Sequence, residues 1–266
     1  MILLIFLLST NSCPFLRLSP GVVSQGLGGI VSVIDEGLSV FHNPALVGQN
    51  RLNFTLGRWL YDTNFLTFGG TYQRYSFGIN YLNYGAIQGY DEFGVPTRRF
   101  TPYDLFTGAG IKIYPFGFNI KGFREQIDSL SLFGFSLGLS AHLDFKKIFI
   151  GSKIENLGKE FNQNVFLSPV IINGVKFALS DSFEIFLETK VPEIELSSGL
   201  LYLYQNIKIF GGFRYLAPEG EIKKFTTMDL NFSGGITIKL EEYEIGYSFL
   251  WTKFSQAHRF SIILSL

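Results

Sequence analysis

From Arg51 to its last residue the chain alternates between two kinds of side chain. Tyr243, Ile245, Tyr247, Phe249 and Trp251 interleave with Glu242, Glu244, Gly246, Ser248 and Leu250. Phe133, Phe135, Leu137, Leu139, Ala141 and Leu143 interleave in the same way with Gly134, Ser136, Gly138, Ser140 and His142. A period of two places successive side chains on opposite faces of a β-strand. One face of each segment is therefore apolar and aromatic, and the other is small or charged. A chain built this way can only fold as a sheet with two unlike faces.

Segments with this pattern fall near 51–58, 64–72, 74–83, 103–114, 116–125, 132–144, 146–155, 168–179, 182–190, 193–204, 206–216, 227–240, 242–251 and 257–266. Many are close to the ~9–11 residues that a tilted strand needs to cross a bilayer. The weakest is 116–125, where Gly122 and Arg124 interrupt the apolar face. The connections sort by parity. One series is tiny: Gln73, Pro115, Phe145, Ser180 to Asp181, Gln205 and Glu241. The other contains 84–102, 126–131, 156–167, 217–226 and 252–256, with only 59–63 and Val191 to Pro192 comparably tight. Membrane barrels have short turns at one end and longer loops at the other, whereas a soluble sandwich has no reason to sort its loops. The composition agrees, with 29 Phe, 13 Tyr and 29 Gly, yet after residue 8 no apolar run approaches the ~18 residues of a membrane helix. The expected fold is all-β: an antiparallel transmembrane β-barrel of about 14 strands over 51–266, closed by pairing the last strand with the first.

The first 50 residues read differently. MILLIFLLSTNSC fits a secretory signal peptide over about 1–13. Cys13, the single cysteine, belongs to that segment or its cleavage region; Thr10-Asn11-Ser12 before it matches a lipid-attachment motif poorly, and no internal disulfide can form. Residues 14–50 are then a plug inside the barrel, carrying a short helix. The GLGG run at 26–29 lacks the third glycine of a dinucleotide fingerprint, Val31 standing in its place, and no βαβ unit follows. Tight backbone turns explain those glycines better than phosphate does.

Lys+Arg and Asp+Glu both number 22, so no basic face for nucleic acid is implied. The histidines, His42, His142 and His258, lie on separate elements, and neither a metal-ligand spacing nor a GxSxG is present. No metal, cofactor or catalytic residue is expected, although His142 and Asp144 share the inward face as a conceivable acid–base pair. The inward charges, Lys112, Lys121, Lys147, Lys153, Glu155, Lys176, Glu184, Glu188, Glu193, Glu195, Lys208, Arg214, Asp229, Lys239, Glu242, Glu244 and Arg259, are of mixed sign. Rings of one sign suit an ion-selective pore; a mixed set suits a network that holds a plug. Phe106, Phe123, Phe149, Phe186 and Phe210 also point inward, either as filler or as the lining of a greasy passage. The long loop, with Tyr90, Asp91, Glu92, Phe93, Gly94, Arg98 and Arg99, is the first candidate for contact with a partner.

FLRLSPGVVSQGLGGIVSVIDEGLSVFHNPALV resembles the N-terminal signature of the PorV/PorQ family of outer-membrane proteins, related to the FadL-type transporters of hydrophobic compounds. The matching positions are Gly26, Gly28, Gly29, Asp35, Asn43, Pro44 and Ala45. The similarity continues through NRLNFTLGRWLYD, the hairpin around DEFG, KIENLG and the ending EIGYSFLWTKFSQAHRFSIILSL. The resemblance implies a non-enzymatic barrel in the bacterial outer membrane, a plug built from the glycine-rich stretch, an acidic short helix and the NPA motif, and a part in protein secretion or surface attachment. Its partners would be outer-membrane lipid and secreted proteins or secretion machinery. The FadL side of the resemblance implies the alternative, uptake of a hydrophobic small molecule past a movable plug.

Overall fold

The computed structural model describes residues 18–59, 63–216, 229–253 and 255–266. The expected signal peptide, Cys13, the side chain of Asp229 and the whole of the 217–226 loop lie outside the described residues. The chain enters through an α-helix, α1 (Val22–Gly26), and a 3₁₀ turn (Pro44–Leu46). The strands β1 (Arg51–Arg58), β2 (Asn64–Tyr72) and β3 (Tyr75–Asn83) follow, then a small hairpin of β4 (Ile87–Tyr90) and β5 (Pro96–Phe100). After it come β6 (Tyr103–Ile113), β7 (Phe116–Ile127), β8 (Leu130–Asp144), β9 (Ile148–Glu160) and the two-residue β10 (Val165–Phe166). The second half holds β11 (Val170–Ser180), β12 (Phe183–Val191), β13 (Glu195–Tyr204) and β14 (Ile207–Leu216). It ends with β15 (Asp229–Leu240), β16 (Tyr243–Trp251) and β17 (Gln256–Ser265).

Fourteen of these strands form one antiparallel barrel, with β4, β5 and β10 outside the ring. Closure is direct: β1 pairs with β17 from Arg51↔Ser265 to Arg58↔His258. The ring of fourteen strands therefore has no open edge. The two faces are inverted relative to a soluble protein. Inward-facing Asn53, Thr55, Thr67 and Thr71 are 0% exposed, while outward-facing Phe260 is 59% and Phe232 is 54% exposed. Phe54, Phe68, Phe77, Leu139 and Ile262 continue that apolar outer surface. A band of this kind is far larger than any apolar patch a soluble monomer leaves open, and it suits a bilayer.

The alternation set the strands within two or three residues at most ends, but it missed where they run on. The 126–131 loop shrinks to Asp128 and Ser129, because β7 and β8 stay paired up to Ile127↔Leu130. The 156–167 loop is mostly strand, because β9 passes through Asn156 (φ +63°) with a bulge opposite Leu137–Leu139. One bulged residue shifts the phase of everything beyond it, so the break in alternation read as a loop. The weak 116–125 segment is a full strand, since β6 and β8 pair along its whole length. Of the inward charges, Lys147, Lys239 and Glu242 are exposed at the short-turn rim instead. Glu193 sits in the turn between β12 and β13.

At mid-strand on the outer face, Phe68→Arg should lower barrel stability in lipid vesicles by about 2–4 kcal/mol, the cost of an arginine at the midplane. The urea midpoint of the refolded barrel measures it; an unchanged midpoint would mean that this face does not meet lipid.

Candidate functional site

An irregular backbone threaded through a barrel carries N–H and C=O groups that water cannot reach, and each needs a partner. Here the inward-facing side chains supply them. Ser233 Oγ accepts from Gly28 N–H at 3.0 Å and donates to the Gly26 carbonyl at 2.9 Å. Ser197 Oγ donates to the Gly28 carbonyl at 2.8 Å. Asn53 Nδ2 donates to the Glu36 carbonyl at 2.6 Å, and Asn119 Nδ2 to the Val40 carbonyl at 2.7 Å. Lys112 Nζ reaches the Val47 carbonyl at 2.6 Å, and Thr71 Oγ1 the Gln49 carbonyl at 2.6 Å. The small polar face of the alternation is thus a set of ligands for the N-terminal segment.

Charged groups add to this. Glu188 Oε2 on β12 accepts from Val31 N–H (2.9 Å), Ser32 N–H (2.7 Å) and Ser32 Oγ (2.6 Å). Lys121 and Lys153 close on Glu155 at 2.7 and 3.1 Å, all three buried, and Lys153 also donates to the Phe41 carbonyl at 3.3 Å. Arg259 on β17 donates to the carbonyls of Ser19 and, at 3.1 Å, Gly21, and lies over the rings of Trp59 and Phe65. Truncating one partner of a buried charge leaves the other stranded, so such contacts cost far more to break than a surface pair. The mixed-sign inner charges form a holding network rather than rings of one sign.

The glycine-rich stretch is where segment and wall come closest. Gly26 leaves no room for a Cβ against the Phe210 ring, and Gly28 (φ +82°) would bring one to 2.6 Å from the Phe213 carbonyl oxygen. Gly29 also has positive φ, at +88°. Asn43 caps the 3₁₀ turn by accepting from Ala45 N–H at 2.9 Å, and its Nδ2 donates back to the Ser32 carbonyl at 2.7 Å. Pro44 opens that turn, and Gly117 on β7 is bare because a Cβ there would meet Ala45 N at 2.2 Å.

The acidic pair departs from expectation. The one helix among the described residues lies upstream, at α1, and contains no acidic residue. Asp35 and Glu36 sit in irregular backbone, and among the described residues neither forms an ion pair with a lysine or arginine. Asp35 accepts from Gly37 N–H and Ser39 Oγ, both at 3.2 Å. Glu36 is the buried cap of α1, accepting from Val23 N–H (2.9 Å) and Ser24 N–H (3.2 Å). Arg51 on β1 does reach Asp35, but at its backbone carbonyl, 3.1 Å away, rather than at its carboxylate. His42, 3.7 Å from Glu36, is fully buried; burial, with the charge of Lys153 adding to it, pushes its pKa down to about 3. His142 and Asp144 do not pair: His142 stacks on Phe149, and Asp144 accepts from Lys146 N–H at 2.8 Å.

Four of the five inward phenylalanines pack against the N-terminal segment, while Phe149 lies under Lys176 Nζ at 4.1 Å. Phe106 and Phe123, cross-strand neighbours, pack with Phe65, Leu82 and Leu167 over Leu38, Val40 and Phe41. Phe186 and Phe210 pack on Val22, Leu27, Ile30 and Ile34. Between segment and wall on the loop side remain hollows of about 40 and 20 Å³. A larger one of about 230 Å³, with the Lys176–Glu184 and Lys208–Glu244 pairs in its lining, opens at the short-turn end.

The long loop is an ordered hairpin. Asp91 Oδ1 accepts from Phe93 N–H (2.9 Å) and Val95 N–H (2.8 Å), and Gly94 takes φ +76° to close the turn. Gln88 Oε1 accepts from Arg99 Nε at 3.2 Å, and Arg98 pairs with Asp128 at 2.6 Å, tying the hairpin to the β7–β8 turn. Tyr84 hydroxyl donates to buried Asp104 at its root. The tip presents Tyr90, Val95 and Phe93, the last 83% exposed, beside exposed Glu92. The structure therefore keeps the plug residues and the hairpin residues apart, one group in the lumen and the other beyond it.

Glu188→Leu should strand three buried donors of Val31 and Ser32 and cost about 2–4 kcal/mol. Reduced urea midpoints, together with faster protease cleavage within 22–47, would show it. His42 gives a second expectation. Its folded pKa lies below the ordinary 6.5, so the unfolded chain binds the proton more readily, and stability falls as pH drops through 6.5 toward 3. His42→Asn should flatten that part of the pH dependence relative to wild type; identical slopes would contradict a neutral buried imidazole.

No protein-family model and no curated protein sequence matches the chain. Solved structures do. A deletion mutant of the TodX monoaromatic hydrocarbon channel superposes with a TM-score of 0.59 at 10% identity, over 93% of this chain and 97% of that one. The Pseudomonas putida toluene transporter TodX superposes with a TM-score of 0.57 at 11% identity, over 97% and 98%. At such identities the likeness is one of fold: this chain is built as a barrel of the type those membrane channels use.

Proposed function

We propose that this chain is a non-enzymatic barrel of the bacterial outer membrane that recognises a secreted protein or a component of secretion machinery. The hairpin at the loop end, facing out of the cell, makes the contact. The observation that carries the reading is the pairing of a filled lumen with an internally braced hairpin whose apolar tip is exposed. A loop stiffened before binding loses less entropy on contact, and an exposed aromatic at its tip has the chemistry of an interface anchor. The PorV/PorQ resemblance of the plug motif and of the hairpin supports the same reading.

A second reading, uptake of a hydrophobic small molecule, has the apolar layer of Phe65, Leu82, Phe106 and Phe123 above the N-terminal segment in its favour. It also has the fold shared with TodX. It requires the segment to move, because its backbone is bonded to the wall on several sides.

Phe93→Asp, and separately replacement of 86–101 by a short Gly-Ser link, should leave heat-modifiable migration of the barrel intact. Both should reduce co-purification of a secreted protein from native envelopes at least about tenfold, the loss expected of a central anchor. Unchanged co-purification from a well-folded variant would remove the reading. Uptake of a hydrophobic dye by vesicles holding the wild-type barrel, lost when the segment is cross-linked to β12, would support the second.

A further inference from the structure

The hollow of about 20 Å³ on the loop side of the N-terminal segment has an unusual lining. Gln25 of α1, Arg214 of β14 and Arg259 of β17 meet there, with Trp59, Leu18, Leu250, Ser19 and the Gly28–Gly29 backbone completing the wall. Gln25 is 3% and Arg259 1% exposed. Both amide atoms of Gln25 and the Nε atoms of Arg214 and Arg259 are buried with no hydrogen-bond partner among the described residues. Buried polar atoms are normally paired, and orphans gathered at one hollow call for an occupant.

The charges say what kind. Arg259 spends one nitrogen on the carbonyls of Ser19 and Gly21, and it forms no ion pair among the described residues. Glu36, the acid whose charge acts on it, has its oxygens on the N–H groups of Val23 and Ser24. Among the described residues, Arg214 has a single acidic contact, a long one of 3.9 Å to Glu195, whose carboxylate is held at 2.6 Å by Lys190. Two guanidinium groups thus border one small space without a carboxylate of the described residues closing on either. An unpaired buried cation is costly, and a charge-assisted hydrogen bond relieves that cost better than a neutral one.

The geometry points to a buried site for one small monovalent anion, of halide size, held by Arg214 Nε, Arg259 Nε and the Gln25 amide. The amide turns its Nε2 toward the ion, and a space of about 20 Å³ suits an ion of that size. The three groups come from the N-terminal segment and from two strands separated in the ring by β15 and β16. A bound anion therefore fastens the segment to the wall, beyond anything the partner reading requires.

Bromide is the probe. The full-length barrel, purified in detergent, is melted in sodium bromide and in sodium gluconate at equal ionic strength. Wild type should show a saturable rise in melting temperature with bromide, and Gln25→Leu and Arg214→Gln should each lose that rise. Arg259 is left intact, because it also holds Ser19 and Gly21. Independently of folding, crystals of the wild type soaked in bromide should give an anomalous peak between the three side chains. An ordered water alone at that position, or an equal bromide shift in both variants, would overturn the site.

Discussion

The need of a buried, irregular backbone for hydrogen-bond partners organises this molecule. Residues 18–50 cross the lumen with almost no regular structure to satisfy their own peptide groups. Each net hydrogen bond contributes only about 1 kcal/mol, but each one left unmade costs about 1–3. The inner face of the barrel is therefore not a generic polar lining. Serines at 197 and 233, asparagines at 53 and 119, lysines at 112 and 153 and Glu188 stand where a particular carbonyl or N–H of the segment arrives. Apolar inward side chains fill the space between these contacts, and the outer face is left free to be uniformly greasy.

The barrel was legible in the chain because a strand has a period of two and a bilayer demands that one phase be apolar throughout. Alternation needs no knowledge of neighbours, so strands such as Arg51–Arg58 and Asn64–Tyr72 emerge with their true ends. What escaped depends on neighbours. The bulge at Asn156 reverses phase, and β7 persists through Gly122 and Arg124 only because strands on both sides bond it. Lys190, absent from the inward set read from the pattern, faces the segment and pairs with Glu195 at 2.6 Å. Buried Asp104 was missed in the same way.

The N-terminal segment was legible in its glycines and illegible in its acids. Gly26 and Gly28 are required by contacts with β14, so their positions carry information that a reader of composition can use. Unlike charges in one lumen invite pairing, and lysines and arginines face Asp35 and Glu36 from the wall. The shortest path for Glu36 led instead to the bare N–H groups of α1, thirteen residues upstream in Val23. No spacing rule distinguishes a capping carboxylate from an ion-pairing one when the helix it caps is only five residues long. His42 is hidden for a similar reason: its burial comes from the folded path of the segment rather than from the residues beside it.

The contact of Arg259 with Ser19 joins residues 240 positions apart, and it sits on the strand that also makes the seam with β1. Contacts between such distant parts of a chain form late, since the whole intervening loop must first be ordered. The final strand thus performs two tasks on arrival. It removes the open edge of β1, and it brings in the guanidinium that seats the first described residues of the chain. Closing the wall and fixing the interior are a single event in the assembly of this barrel, and a chain cut short before β17 would lack both together.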